Sequence, residues 1–409
     1  MFGVPRKALP TLPLLLLTLG CGKENEPPGP PQESAQEIAA GAATVVTAVL
    51  ELEATYPEGF SFLNGVRELT DGTVLAADPL AQILLRIDLD ASTTDTLGRV
   101  GPGPQEYEQP DQVFPLPGDS SLLVDLGKMQ LTEIGPDGVF GDGIPMAMPS
   151  GDRFPIVLHP SFVDDGGHLY DRAPRSREGG PRDSVAVVRF DRNTRALDTV
   201  AMVWAPEVPQ TRSRGGGFVP RMLGRMDAWA IGPDGRVAII RAHDFSVEWR
   251  FPDGRVEIGP PNPFPTHPVR RADQEAVVAE MQNSGISMTS VASRDGSVSR
   301  MTMSRGLYRG GDLPSVDDFE WEETLPGFRP DRARVSPQGE LWIERYLPAD
   351  SLPVVAIFDE RGFFRSLIEF PPGRRLIGFG RNSDEHEVAY LVWRDEYDLK
   401  WLERYRVVR

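Results

Sequence analysis

The chain has 409 residues, a formal net charge of −17 at pH 7 and a single cysteine. This length allows two or three average domains, but an all-β fold of this size can also be one unit. The acidic balance argues against non-specific nucleic-acid binding, which needs a basic surface to face the phosphates. A chain with one cysteine cannot form an internal disulfide.

The first 20 residues contain a short basic region and an apolar run from Leu9 to Leu19. The run is too short to span a bilayer and predicts a signal peptide. Together with Cys21, it resembles a bacterial lipoprotein signal, although Thr18 and Leu19 depart from the commonest pattern. The alternative is an ordinary free or buried cysteine behind an ordinary signal peptide.

The lipoprotein resemblance implies that Cys21 is lipidated, for example with palmitate, and becomes the first residue of the mature protein. It places the protein in the bacterial cell envelope, anchored to the outer membrane or facing the periplasm. Residues 21–43 are rich in Pro, Glu, Gln and Ala and predict a flexible tether.

From residue 44 onward one unit recurs: an apolar strand, a tight turn and a strongly apolar strand. The six copies are VRELTDGTVLAAD at 66–78, VFPLPGDSSLLVD at 113–125, SFVDDGGHLYD at 161–171, AWAIGPDGRVAIIR at 228–241, ARVSPQGELWIE at 333–344 and IGFGRNSDEHEVAYLVW at 377–393. Five turns contain a glycine, which tolerates positive φ, namely Gly72, Gly118, Gly166, Gly235 and Gly339. The sixth has Ser383 and Asp384 instead.

A second pair of strand signals follows each copy, so the unit is four strands with a period near 46 residues. This pattern predicts a six-bladed β-propeller with four-stranded antiparallel blades over residues 44–409. The segments 44–54 and 398–409 each lack a partner within their own repeat. Their pairing would close the ring and remove an exposed sheet edge.

Two segments carry a family resemblance. VLAADPLAQILLRID, at 74–88, resembles the repeat of NHL-type propellers, in which an aspartate ends the second strand. GRVGPGPQEYEQP, at 98–110, is similar to a segment common in bacterial six-bladed propeller lipoproteins, although Gln105 replaces the usual glycine. The resemblance implies the fold and says almost nothing about a ligand.

The stretch from Val100 to Pro110 invites comparison with a phosphate-binding loop because its glycines are closely spaced. Its prolines remove N–H donors, and Glu106 and Glu108 would repel a phosphate. We therefore interpret it as the corner between blades one and two, with Tyr107 packed between the blades.

Short turns are expected on one face of the disc and long loops on the other. The largest long loop, 262–331, is an insertion between blades four and five with a helical stretch at 270–282 and a Ser/Met-rich run at 284–306. It either covers the central opening or projects into solvent, and the sequence leaves both alternatives open.

The long loops at 171–183, 204–226 and 262–316 together carry a net charge of +5 in an acidic chain. Guanidinium groups suit carboxylates, sulfates and phosphates. The candidate ligand-binding residues on this long-loop face are therefore Arg212, Arg214, Arg221, Arg225, Arg241 and His243. They predict recognition of a partner protein or of an anionic glycan or lipid; solvated arginines without a ligand are the alternative.

Catalytic motifs are scarce. There is no G-x-S-x-G elbow and no cysteine nucleophile, and the five histidines lack metal-ligand spacing. His168 and His386 fall on strands and are interpreted as structural. No catalytic residue and no required cofactor is assigned.

Calcium is the one cofactor that the sequence leaves open. Asp78, Asp125 and Asp171 end equivalent strands and could hold a cation, or they could hydrogen-bond the following turn. The hypotheses are thus a lipid-anchored ligand-binding propeller, a calcium-dependent hydrolase of the lactonase or esterase type, or a structural envelope protein.

The lipoprotein hypothesis predicts that Cys21→Ser moves the protein from the membrane fraction to the soluble fraction, because the acyl chains provide the anchor. Fractionation of cells that express each form, with an integral-membrane extraction step, measures this. A Cys21→Ser protein that remains wholly with the membranes would contradict it.

Overall fold

The computed structural model describes residues 48–148, 156–173, 183–207, 210–212, 218–284, 286–292, 298–305, 314–382 and 385–409. The predicted signal peptide, Cys21 and the whole N-terminal tether lie outside these ranges and stay predictions. Within them, no helix is long and apolar enough to cross a bilayer.

The described residues form six four-stranded antiparallel sheets, the blades, and confirm the predicted six-bladed propeller. In blades one to three the strands, from innermost to outermost, are Val66–Glu68, Val74–Asp78, Ile83–Asp88 and Thr93–Thr96; Pro110–Pro115, Ser121–Asp125, Gln130–Ile134 and Phe140–Pro145; and Phe162–Val163, Leu169–Arg172, Ser184–Phe190 and Leu197–Trp204. In blades four to six they are Ala228–Ile231, Val237–Ile240, Val247–Arg250 and Val256–Ile258; Phe328–Val335, Leu341–Arg345, Val354–Phe358 and Phe364–Glu369; and Arg375–Arg381, Glu387–Arg394, Lys400–Val408 and Val49–Thr55.

The connections contain further short elements. These are the strands Arg99–Val100, Glu106–Tyr107, Ala147–Met148, Ile156–Val157, Gln210–Arg212, Phe218–Met222, Ile286–Ala292, Val298–Arg305 and Glu320–Trp321, the helix α1 (Arg271–Ser284) and two 3-10 turns at Pro117–Asp119 and Val316–Asp318. The predicted helical stretch is therefore α1, and the Ser/Met-rich run contains a β-hairpin, Ile286–Ala292 paired with Val298–Arg305.

Strand composition follows from position in the blade. Second strands such as Val74–Asp78 and Ser121–Asp125 are buried at every residue, whereas the outermost strand Thr93–Thr96 is exposed at every residue. Second strands are apolar on both sides because each blade has a neighbour on each of its two faces. Accordingly, the described residues form six apolar clusters, one at each interface between adjacent blades.

The turn glycines behave as predicted, with one correction. Gly72, Gly235 and Gly339 have φ near +80°, the region in which a Cβ is strained. In blade three it is Gly167, with φ +76°, that has positive φ, and not the predicted Gly166. The turn at Ser383 and Asp384 lies outside the described residues.

The N-terminal strand Val49–Thr55 closes the ring, as predicted. It is the outermost strand of blade six and pairs antiparallel with Lys400–Val408, from Val49 opposite Val408 to Thr55 opposite Glu403. Leu50 packs against the cluster between blades five and six.

The corner between blades one and two is also confirmed. Tyr107 is almost completely buried in the cluster shared by these blades, and its hydroxyl oxygen accepts a hydrogen bond from the Leu84 backbone N–H at 3.2 Å. Glu106 accepts a hydrogen bond from the N–H of Gly103 at 2.6 Å, so this carboxylate occupies the donor that a phosphate would need.

Ring closure predicts that deletion of residues 44–54 lowers the free energy of unfolding by several kcal/mol, because blade six loses a strand and its apolar contacts. Urea unfolding of a chain that begins after Cys21 measures the change. Deletion of 11 residues within the predicted tether, 26–36, is the length-matched control. Equal unfolding midpoints for the two truncations would contradict the closure model.

Candidate functional site

The innermost strands of the blades surround a central channel of about 910 Å³. All six blades contribute to its wall, for example through Val66, Phe114, Phe162, Trp229, Ala333 and Phe379. Cavities at which many rigid elements converge are the usual ligand sites of proteins. The channel is therefore the candidate functional site.

The insertion packs against the inner edge of blade five. Glu280 of α1 forms ion pairs with Arg329 and Arg332 at 3.6 and 3.4 Å. Both arginines belong to the innermost strand of that blade. The helix consequently lies close to the long-loop mouth of the channel.

The hairpin of the insertion docks on the opposite side of the ring. Gln109, in the connection between blades one and two, donates from Nε2 to the Met303 carbonyl at 2.7 Å and accepts from the Met303 N–H at 2.8 Å. The Met303 side chain is buried against Leu126 and Leu158. Because α1 is anchored at blade five, the insertion bridges the inner edges of blades five and two. Neither α1 nor the hairpin lines the channel, so both alternatives that the sequence left open, a cover or a solvent-exposed elaboration, stay predictions.

The channel wall formed by blades five and six contains Arg334, Arg381 and the carboxylate of Asp331. Burial, together with the neighbouring Arg332 guanidinium, lowers the pKa of Arg334 to about 10. Burial and the charges of Arg332 and Arg334 lower the pKa of Arg375 to about 9. Both groups stay charged at neutral pH and repel one another, whereas the negative charge of Asp331 acts favourably on both.

Arg334 faces the channel. Its guanidinium lies 5.4 Å from the ring centre of Phe162 in blade three, and Nη1 donates to the Ala333 carbonyl at 2.9 Å. Among the described residues it makes no ion pair with a carboxylate. Arg375, behind it, donates to the Leu63 carbonyl and to Asn64 Oδ1, each at 3.2 Å.

A histidine and an aspartate form a pair in another part of the wall. His159 lines the channel with 31% of its side chain exposed, and its Nε2 lies 2.8 Å from Oδ2 of Asp111, which is 1% exposed. Burial opposes protonation of His159, but the hydrogen bond to Asp111 and the charges of Asp111 and Asp171 outweigh it, so the pKa of His159 is raised.

The predicted ligand-binding residues lie in separate parts of the structure. Arg221 pairs with Glu320 and Glu322 at 3.4 and 3.8 Å, and Arg225 donates to Thr324 at 3.2 Å. Both therefore contact one segment of the insertion. For Arg212 the structure describes only the backbone, in the strand Gln210–Arg212, and Arg214 lies outside the described residues.

Arg241 and His243 are separate from that segment. Arg241 pairs with Asp227 at 2.7 Å and with Glu248, which compensates its charge within blade four. His243 is 75% exposed and pairs with Asp244 at 3.2 Å. Neither residue lines the channel, and anion binding by the predicted set stays a prediction.

The aspartates at the strand ends accept hydrogen bonds from backbone N–H groups. Asp78 accepts four backbone N–H groups, from Ser61, Phe62, Leu80 and Ala81. Asp125 likewise accepts four, and Asp171 accepts the N–H groups of His159 and Arg172. These bonds support the turn interpretation. Within the described chain, no three His, Cys, Asp or Glu residues are grouped as metal ligands.

Sequence reasoning missed the two channel groups. His159 precedes the innermost strand of blade three, where no motif marks it, whereas Arg334 lies within the repeat copy of blade five. The available signal was a charged residue in an innermost strand, but Arg67 occupies the equivalent position in blade one, so the signal does not single out Arg334.

The fold and the site together define a six-bladed β-propeller with a central channel whose wall carries both arginines and acids. No family model and no curated protein matches the chain. Solved structures similar to it include a putative exported protein from Bacteroides fragilis, with 13% identity, 90% of this chain and 97% of that chain covered, and a TM-score of 0.42. A gluconolactonase from Xanthomonas campestris has 14% identity, coverages of 90% and 92%, and a TM-score of 0.38. The calcium-binding protein regucalcin from Agrobacterium tumefaciens has 12% identity, coverages of 88% and 96%, and a TM-score of 0.37. Likenesses at these values assign no ligand and no activity to this chain.

The docking of the insertion predicts that Gln109→Ala loosens the hairpin, because the side chain makes two hydrogen bonds to Met303. At about 0.5–1.5 kcal/mol each, their loss should speed hydrogen exchange of the Met303 amide by roughly 5- to 150-fold. Exchange measured by mass spectrometry tests this, with the exposed Gln338→Ala as control. Unchanged exchange in Gln109→Ala would show that the hairpin does not depend on this contact.

Proposed function

We propose that the protein is a ligand-binding propeller whose central channel takes a small anionic molecule. The observation that carries this proposal is the Arg334 guanidinium, which faces the channel without a carboxylate partner among the described residues. Desolvation disfavours the charged form of Arg334, and the charge of Asp331, which makes no ion pair with it, offsets this only in part. A bound carboxylate or phosphate would remove that cost and accept two hydrogen bonds from the planar guanidinium.

The size of the channel favours a small ligand over a macromolecule. Its volume of about 910 Å³ lies within the usual range for small-molecule sites, about 300–1,000 Å³. On the long-loop face the insertion contacts the ring at Arg332 and at Gln109. A partner protein that approached this face would also meet the insertion.

The aromatic rings beside Arg334 suggest an apolar part of the ligand. Phe162 packs edge-to-face on Trp229, with ring centres 5.0 Å apart, and both rings line the channel. An acid that carries a flat apolar group would pair its charge with Arg334 and stack its body on Phe162. In the cell, the proposed lipid anchor at Cys21 would hold this binding domain at the envelope.

Replacement of Arg334 tests the proposal. We expect Arg334→Ala to weaken binding of the best ligand from a panel of citrate, phenylacetate, phenylphosphate and glucuronate by roughly 10- to 150-fold, since a charge-assisted hydrogen bond contributes about 1.5–3 kcal/mol. Isothermal titration calorimetry measures the affinity. Arg334→Lys keeps the positive charge but lacks the planar guanidinium that donates two parallel hydrogen bonds, so it should restore binding only in part.

Arg255→Ala is the matched control, because Arg255 is an exposed arginine that also covers an aromatic ring, Phe251, at 3.9 Å. It should bind the panel as the unaltered protein does. If Arg334→Ala binds as tightly as Arg255→Ala, or if only uncharged analogues bind, the proposal is wrong.

A further inference from the structure

The pair formed by His159 and Asp111 has the geometry of a proton-transfer group. Asp111 is buried behind the channel wall and holds Nε2 of His159 at 2.8 Å. Nδ1 has no hydrogen-bond partner among the described residues, and the side chain lines the channel. A neutral His159 therefore carries its proton on Nε2, toward Asp111, which leaves the lone pair of Nδ1 available to a ligand.

The carboxylate of Asp111 is directed at His159 and not at the backbone. Its Oδ1 is buried and has no hydrogen-bond partner within the described residues, whereas the carboxylates of Asp78 and Asp125 each accept four backbone N–H groups. The hydrogen bond to His159 is thus the one that the described residues give to the Asp111 carboxylate. The Asp111 carboxylate therefore orients the imidazole of His159.

We infer that the channel is catalytic, with His159 as the base that removes a proton from a carbon next to a carbonyl group in a small carboxylic acid, a 2-oxo acid being the simplest member of the class. This inference rests on the proposed function, because Arg334 is the group that would bind the acid. Proton removal of this kind needs a base and a cation near the oxygen that gains charge. His159 and Arg334 provide these two functions in one cavity.

The step is balanced without any co-reactant. The C–H bond breaks, the proton passes to Nδ1 of His159, and the electron pair moves to the carbonyl oxygen to form an enolate. The Arg334 guanidinium stabilises the negative charge of that oxygen. Return of the proton from His159 to the carbon regenerates the acid; in D2O a deuteron returns instead, so the carbon becomes labelled.

The pH dependence follows from the charges around His159. Asp111 and Asp171 are the charged groups that act on it, and both favour the imidazolium. Because only the neutral imidazole accepts a proton, the exchange rate should rise with pH through the raised pKa of His159. Asp111→Asn removes one of these charges and should move the midpoint of the rate profile to lower pH.

The experiment follows hydrogen–deuterium exchange by NMR at the carbon beside the carbonyl of pyruvate, 2-oxobutyrate, 2-oxoglutarate and phenylpyruvate. We expect His159→Gln to lower the enzymatic rate by about 100-fold or more, while binding measured by calorimetry is retained. The control is His168→Gln, since His168 also pairs with an aspartate, Asp164 at 2.9 Å, and is 34% exposed but does not line the channel. It should exchange at the rate of the unaltered protein.

The outcomes separate the inference from the proposed function. Binding of a 2-oxo acid without exchange, or equal exchange in His159→Gln and the unaltered protein, overturns the inference and leaves anion binding intact. If none of the four acids binds, the substrate class is wrong and the inference falls, whereas the proposed function is decided by the wider ligand panel. A shifted pH midpoint in Asp111→Asn, matched by NMR titration of the His159 ring, supports proton transfer over a structural pair.

Discussion

The apolar interfaces between neighbouring blades are the feature on which the rest of the structure depends. A four-stranded sheet of this size cannot bury both of its faces alone, so each blade needs a neighbour on either side. The six clusters of the described residues provide these contacts around the whole ring. The strand Val49–Thr55 completes the last blade, and without it the edge of Lys400–Val408 would be exposed.

A closed ring also creates the channel, because the innermost strands cannot all meet at the axis. Side chains there project from strands that the blade interfaces hold rigid, which suits a site that must orient a ligand. The channel has unequal walls: arginines on blades five and six, and the pair of His159 and Asp111 elsewhere. Partial exclusion of water strengthens every charge interaction inside it.

Residues that follow the repeat pattern support the fold. At the end of the second strand, one copy departs from the pattern and carries an arginine in place of the aspartate. Asp78 and Asp125 end the second strands of blades one and two and accept backbone N–H groups. In blade five the equivalent residue is Arg345, whose guanidinium lies 4.4 Å from the Phe264 ring centre and whose pKa burial lowers to about 10. The aspartates thus serve the fold in the copies that keep the pattern, and blade five uses the position for different contacts.

The sequence by itself determined the blade number, the four-stranded unit, the closure of the ring and the burial of Tyr107. The blade number and the four-stranded unit are evident because the same pattern recurs along the chain, and the closure because the segments 44–54 and 398–409 lack a partner within their own repeat. It did not determine the site. The channel brings Arg334 and His159 into one cavity although 174 intervening residues separate them in the chain. Arg221 pairs with Glu320, 99 residues away in a segment that no periodicity connects with it. Only the tertiary structure decides which charges meet, because burial and pairing depend on distances that sequence spacing does not set.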